Sequence, residues 1–140
     1  MNLEGFLASK LRNSYIDEPG LTYYVRRSVM FAGVVELANV VSDGSRPAAL
    51  HFFLRRYRHI PFYMENVENP ELARYMRRIG WIEVYDPGAE DIGLPCFISP
   101  LMHHLHKDTE RYRRRYPQIT SRAEKPADNE SKQKRQAGTS

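Results

Sequence analysis

The sequence predicts a single α/β domain built on a mixed sheet, and three observations favour this fold class. Predicted helices and strands alternate through the middle of the chain, a hairpin-like pair of strands precedes them, and two more strands close the domain as a meander. The 140 residues are 41% hydrophobic and 27% charged, which is enough for one modest core and unlike a disordered composition. The predicted order of elements is α-β-β-α-β-α-β-β.

The first half of the chain predicts one helix followed by two strands. Leu3, Phe6, Leu7 and Leu11 recur at helical spacing. The stretch LTYYVRRSVMFAGVVELANVV is rich in β-branched and aromatic residues, which favours strands broken once near its middle. The predicted elements are a helix at 3–14, a turn at 17–20, and strands at 21–27 and 33–41.

The second half predicts two helices with clear local signals. Ser45 suits a helix N-cap and Pro47 a first helical turn, so a helix is expected to continue through AALHFFLRRYRH. Asn69 and Pro70 repeat that signal, and Gly80 suits the position after a helix C-terminus. The remaining predictions are a helix at 70–79, strands at PFYMENV, WIEVY and LPCFISP, and a loop at DPGAEDIG.

Composition divides the chain into three parts, a domain at 1–102, a helical extension at 103–117 and a disordered polar tail at 118–140. Residues 103–140 hold ten Lys/Arg and five Asp/Glu, whereas residues 1–102 hold eleven and twelve. The net charge of +4 therefore comes from the C-terminal part, and any contact with nucleic acid would depend on the tail.

The sequence also favours a cytoplasmic protein without a membrane segment. No apolar run approaches the roughly 18 residues of a membrane span. The N-terminus lacks the apolar stretch and cleavage site of a signal peptide. Cys96 is the only cysteine, so an internal disulfide is excluded, which fits a reducing compartment.

Residues 37–84 resemble the second half of the fold of the GNAT superfamily of N-acetyltransferases. In that family a strand ending in Val leads to Arg/Gln-x-x-Gly-x-Gly/Ala at the start of a helix, followed by a strand, Asn, a short helix and Gly-Phe. Here a strand ends at Val41, Arg46 follows five residues later, Asn69 precedes a helix, and Gly80-Trp81 replaces Gly-Phe. The resemblance implies a mostly antiparallel sheet flanked by helices. With its shortened N-terminal half, which lacks one early strand or helix, the chain is similar to compact bacteriophage members.

The resemblance implies acetyl-CoA as cosubstrate, an amine as acceptor, and no metal. Backbone N–H groups at a helix N-terminus would hold the pyrophosphate, and the pantetheine arm would lie between two strands that splay apart. The implied catalytic residues are Glu36, on the strand that feeds the loop, and Tyr75. The implied cofactor-binding residues are Val40, Val41, Arg46, Pro47, Ala48, Ala49 and Asn69.

The chain departs from the family pattern at three points. Ala49 and His51 stand where the family has glycines, which predicts weaker cofactor binding because a side chain keeps phosphate from the backbone. Met76 stands where the family commonly has a tyrosine acid, so either Tyr75, roughly 100° around the helix, takes over that role through a helix shift, or the thiolate leaves without an acid. Only 23 residues separate Arg46 from Asn69, which predicts a brief helix and a shallow cleft.

Each candidate carboxylate and thiol also has a plainer interpretation. Glu36 can be a solvent-facing residue on a strand edge. Glu65 lies on the opposite strand face from Met64, where it faces either substrate or solvent. Cys96 has no activating base nearby in sequence, so packing is its default role.

The histidines and basic runs also have two interpretations. His103, His104 and His106 invite a zinc site, but they lack cysteines or carboxylates at a supporting spacing. The runs RRYRH and RRR are typical of solvated helix faces. The tyrosines among them, which could instead stack on nucleic acid bases, are Tyr57, Tyr112 and Tyr116.

Two functions of other classes therefore stay open beside the acetyltransferase. One is a non-catalytic relative that acts as a phage structural or scaffold protein, with a protein partner or a second copy. The other is a nucleic-acid binder that uses the basic tail. The acetyltransferase hypothesis depends on one structural expectation: two neighbouring strands must part after Val41 and open a slot that leads to the start of the helix near Arg46.

Overall fold

The computed structural model describes residues 1–89 and 93–119, and they form a mixed six-stranded sheet with helices on both faces. The elements are α1 (Leu3–Ala8), β1 (Asn13–Glu18), β2 (Leu21–Arg27), β3 (Val35–Ser42), α2 (Ala49–Arg56), β4 (Phe62–Met64), α3 (Pro70–Arg78), β5 (Ile82–Val84), β6 (Cys96–Ile98), α4 (Pro100–His106) and α5 (Glu110–Arg115).

The strands lie in the order β1-β2-β3-β4-β6-β5 across the sheet. Every neighbouring pair is antiparallel except β3 and β4, which run parallel. The predicted fold class, a mixed and mostly antiparallel sheet flanked by helices, is therefore confirmed. The strand order is roughly that of a GNAT-like arrangement.

Strand alternation divides the buried side chains between two cores. Val35 and Leu37 of β3 face a first core, which α1, α2 and α3 cover. Tyr63 of β4 and Ile98 of β6 face a second core, which α4 and α5 cover. We name the two sides of the sheet the first face and the second face accordingly.

The N-terminal prediction was wrong in one respect, because the helix expected at 3–14 ends at Ala8 and β1 follows it. Leu11, which helical spacing placed in the core, is 45% exposed. The strand depends on six pairs with β2, joined by a tight turn at Pro19-Gly20. Pairing with a distant segment outweighed the local helical pattern, so β1 supplies an early strand that was thought absent and extends the predicted order.

The start of α2 was also predicted wrongly. Ser45 does not cap the helix, because its backbone N–H donates to Asp43 Oδ1 at 2.8 Å in the preceding loop. The helix begins at Ala49, after Ala48 in a left-handed conformation, so Pro47 precedes the helix instead of entering its first turn.

The predicted start and end of α3 are confirmed. Asn69 Oδ1 accepts the N–H of Glu71 at 2.9 Å, and Pro70 occupies the first turn. Gly80 follows the C-cap with φ of 93°, a left-handed conformation that glycine adopts without strain. These signals are local, which is why the sequence alone located them.

The segment predicted as a helical extension packs on the domain. α4 spans the predicted boundary between 102 and 103. Tyr112 and Tyr116 are buried in the second core, and Arg115 Nη2 lies 2.8 Å from the buried carboxylate of Asp86. This part of the chain therefore shares a core with the sheet.

Two further predictions fall partly on residues that the structure does not describe. Most of the tail predicted as disordered, from residue 120 onward, lies outside the described residues, as does the middle of the DPGAEDIG loop. None of the helices in the described part has the length and hydropathy of a membrane span.

Candidate functional site

The parallel strands β3 and β4 part within the sheet. They pair at only three positions, from Val35 with Phe62 to Leu37 with Met64. β3 then continues alongside β2, whereas Val67 N–H donates to Pro95 O at 2.8 Å and takes its segment toward β6. The parting expected after Val41 is present, and it begins four residues earlier, after Leu37.

The two sides of this opening carry left-handed asparagines. Asn39 has φ of 51° and Asn66 has φ of 55°. On β3, the register shift between Thr22 and Tyr24 of the neighbouring strand marks a bulge at this point. Asparagine tolerates this conformation better than most residues. The two segments that border the opening therefore both change direction where it begins.

The opening forms a cavity of about 300 Å³, which we name the strand slot. Residues 37–41 line one side of it, and residues 64–69 line the other. Leu72 of α3 closes it on the first face. Backbone N–H and C=O groups beyond the three β3–β4 pairs therefore face an open space instead of each other.

A second cavity of about 360 Å³, the helix cleft, continues from the strand slot between the starts of α2 and α3. The two cavities share Val40, Asn69 and Leu72. Ser42, Ala48, Ala49 and Leu50 extend the helix cleft to the beginning of α2. The two cavities therefore adjoin, one at the parted strands and the other at a helix N-terminus.

The N-terminus of α2 is open to solvent and uncapped. Ala48 occupies the N-cap position with φ of 55°, and its methyl side chain makes no capping hydrogen bond. The first turn contains no acidic residue, so the N–H groups and the positive end of the helix dipole favour an anion here. Glu71 also lines the cleft, and its carboxylate lies 4.0 Å from Arg74.

The structure brings most of the predicted site residues together. Those that line the helix cleft are Val40, Ala48, Ala49, Asn69 and Tyr75. Val41 lines the strand slot. Arg46 and Pro47 lie outside the cleft, in an adjoining cavity of about 480 Å³ beyond Ala49, and among the described residues Arg46 makes no ion pair.

Tyr75, and not Met76, faces the helix cleft. Met76 is fully buried in the first core. The Tyr75 hydroxyl is buried without a hydrogen-bond partner among the described residues. Burial raises the pKa of this phenol, while Arg78, whose guanidinium lies 5.4 Å from the ring centre, opposes the rise. The phenol is therefore a protonated, unoccupied donor at neutral pH.

Glu36 lies on the second face, where it pairs with Arg26 of β2 through an Nε–Oε1 hydrogen bond of 2.7 Å. It does not line the strand slot or the helix cleft. Glu65 does line the slot and lies 3.8 Å from the Arg26 guanidinium. Burial raises the pKa of Glu65, and the charges of Asp86 and Glu36 raise it further against the opposing effect of Arg26 and Arg115.

This raised pKa has a consequence for stability that can be measured. A carboxylate whose pKa is higher in the folded state costs stability at neutral pH, and the cost disappears as the pH falls below the unfolded value of about 4.3. We expect Glu65→Gln to be more stable than the parent at pH 7 by less than about 1 kcal/mol, since the side chain is partly exposed.

Urea denaturation of both proteins at neutral and at acidic pH tests this expectation. The gap should close as the pH is lowered. A gap that persists unchanged in acid would mean that Glu65 ionisation is not its cause. Glu68→Gln, a neighbouring carboxylate that lines the same slot, is the matched control.

The remaining candidates take structural roles. Within residues 1–89 and 93–119 no group of three or more His, Cys, Asp or Glu side chains is arranged to hold a metal ion. Cys96 is buried in the second core, as its packing interpretation predicted. The three tyrosines proposed to stack on bases, Tyr57, Tyr112 and Tyr116, are each at most 1% exposed, so this interpretation was wrong.

Sequence reasoning missed Asn39, Leu72 and the role of Asn66. Leu72 could have been found, because Leu72, Tyr75 and Ile79 recur at helical spacing and share one face of α3. The asparagines carry no such local signal.

Comparisons with protein-family models, curated protein sequences and solved structures found no match.

Proposed function

We propose that the chain is a GNAT-like protein that binds acetyl-CoA and transfers the acetyl group to an amine. One observation carries the proposal: β3 and β4 part after Leu37 and open a slot, and the cavity that adjoins this slot reaches the start of α2, where the N-cap side chain makes no hydrogen bond. An extended pantetheine arm needs unpaired strand backbone, and a pyrophosphate needs free N–H groups at a helix N-terminus. The strand slot offers the unpaired strand backbone, and the start of α2 offers the free N–H groups.

The proposed reaction uses both faces of the sheet. The cosubstrate enters the helix cleft on the first face, and its thioester lies where this cleft meets the strand slot, beside Val40, Asn69 and Leu72. The amine enters from the second face and attacks the thioester carbon. Glu65 accepts the proton of the amine, and the C–S bond breaks as Tyr75 donates a proton to the leaving thiolate. Glu36 holds the Arg26 guanidinium in place, and the charge of Arg26 lowers the pKa of Glu65.

Calorimetry or thermal unfolding with acetyl-CoA tests the binding step. A ligand at 100 times its dissociation constant adds about 2.7 kcal/mol to the free energy of unfolding. We expect a saturable stabilisation. Absence of any shift at millimolar acetyl-CoA would contradict the proposal and leave a scaffold protein as the better interpretation.

Arg46→Ala is expected to weaken acetyl-CoA binding about tenfold. Arg46 lines the cavity that adjoins the helix cleft and makes no ion pair among the described residues, so it is free to pair with a phosphate bound at the start of α2. Loss of one exposed charge-assisted hydrogen bond costs roughly 1.5 kcal/mol. Calorimetric titration measures the change. Arg12→Ala, which removes the same charge far from the cleft, should bind as the parent does, and an Arg46→Ala protein of undiminished affinity would remove the phosphate role from Arg46.

Release of coenzyme A, followed with a thiol reagent in the presence of primary amines, tests the transfer step. The only protein thiol, Cys96, is 3% exposed and will react slowly. Binding without thiol release across a broad amine panel would favour the non-catalytic alternative. Nucleic-acid binding by the tail is tested separately. Salt-dependent binding by the full chain that is lost on deletion of residues 120–140 would support it.

A further inference from the structure

A fourth cavity lies between α2 and α3 at the end away from the helix cleft. This cavity, the far groove, has a volume of about 330 Å³ and reaches the beginning of α4. It shares His51 and Tyr75 with the helix cleft, so the two cavities adjoin. Apart from Tyr75, no residue used in the proposed transfer reaction lines the far groove.

The floor of the far groove is apolar and aromatic. Phe62 and Trp81 stack with ring centres 6.1 Å apart and planes inclined by 17°. Leu54, Ile60 and Pro100 extend this surface. Ile79 borders it with 37% of its surface exposed. Such a floor favours the apolar body of a ligand over a fully hydrated one.

The rim of the far groove is basic and carries no opposing charge. Arg55 and Arg58 line it, and neither makes an ion pair with a carboxylate in the described part of the chain. Arg58 Nη1 donates to Arg55 O at 3.0 Å, which holds its guanidinium near the groove. None of the lining residues is acidic. Two unpaired cations above an apolar floor are complementary to an amphipathic anion.

We propose that the far groove binds a small carboxylate with an apolar body, such as a medium-chain fatty acid. The carboxylate pairs with Arg55 and Arg58, which present the planar donor forks that suit it. The apolar chain lies on Trp81 and Ile79, and the buried ring of Phe62 supports Trp81 from below. A cation finds no partner in this groove, and a neutral apolar molecule leaves both guanidinium groups without one.

Trp81 makes the proposal testable, since it is the only tryptophan of the chain and it lines the far groove. The probe is anilinonaphthalene sulfonate, an aromatic anion that accepts excitation energy from tryptophan. We expect saturable energy transfer from Trp81 to the bound probe. Decanoate should displace the probe at least about tenfold better than decanol, which has the same chain and no charge.

Two double variants test the role of the basic rim on the full chain. Arg55→Gln with Arg58→Gln should weaken probe and decanoate binding at least about tenfold. Lys10→Gln with Arg12→Gln removes the same net charge from the exposed surface near β1 and should have no effect. All four positions are exposed, so both double variants should unfold at the same temperature as the parent.

Several results would overturn the proposal. These are the absence of energy transfer from Trp81, equal displacement by decanol and decanoate, and equal affinity of the two double variants. The affinity of the probe in saturating acetyl-CoA is one further test. Probe affinity within about threefold of its original value supports a separate site, whereas strict competition would place the probe in the helix cleft and overturn the assignment. Failure of acetyl-CoA to bind would refute the proposed function and leave this test intact.

Discussion

Replacing Tyr75 by phenylalanine is expected to slow acetyl transfer by about two orders of magnitude and to leave the fold at least as stable as before. General-acid catalysis by a positioned side chain contributes roughly 10²–10⁴ in rate. Among the described residues the Tyr75 hydroxyl is buried without a hydrogen-bond partner, and burial raises its pKa, so it stays protonated at neutral pH, as the proposed acid must.

The stability part of this expectation follows from the same observation. A buried hydroxyl without a partner costs roughly 1–3 kcal/mol of desolvation, and removing it leaves no other group unpaired. Loss of activity together with unchanged or raised stability is hard to explain by misfolding. The measurements are the rate of coenzyme A release at saturating acetyl-CoA and the free energy of unfolding in urea.

Tyr57→Phe is the matched control. Its hydroxyl is also buried without a hydrogen-bond partner in the part of the chain that the structure describes, although the nearby Glu4 adds to the rise of its pKa that burial causes. Tyr57 does not line the helix cleft. We expect this variant to keep full activity. Equal activity of Tyr75→Phe and Tyr57→Phe would show that Tyr75 is not the acid.

The comparison of sequence and structure shows which information is local. The caps of α3, Asn69 with Pro70 and then Gly80, are fixed by their own neighbours, and the sequence located that helix within one residue. β1 is a strand only because β2 pairs with it over six residues. Its own pattern, with Leu11 at helical spacing from α1, indicated the wrong element.

The candidate site divides in the same way. Spacing along the chain placed Ala49 and Asn69 on one cavity, because each begins a helix and both helices start at the same edge of the sheet. The choice between Tyr75 and Met76 depends on which side of α3 packs against the sheet, and the choice between Glu36 and Glu65 depends on a partner in β2. Neither choice can be made from the local sequence.

Gly20→Ala is expected to cost about 2–5 kcal/mol of stability and to weaken acetyl-CoA binding as well. Gly20 has φ of 84° in the turn between β1 and β2, a conformation that costs roughly 1–2 kcal/mol in an L-residue. A Cβ there would lie 2.7 Å from Arg46 Cβ and 3.3 Å from Ala49 Cβ. Overpacking of this kind adds roughly 1–3 kcal/mol, and relieving it moves the loop that leads into α2.

Gly44→Ala separates the two contributions. Gly44 has nearly the same φ, 80°, but no atom lies within 4 Å of a Cβ built on it. Urea denaturation should therefore show a loss of roughly 1–2 kcal/mol for Gly44→Ala and a clearly larger one for Gly20→Ala. Calorimetry with acetyl-CoA should show weaker binding only in the second variant. Gly20 is buried and Gly44 is exposed, and only a Cβ at Gly20 would meet the Arg46 loop. Equal losses in both variants would therefore mean that the turn does not support that loop.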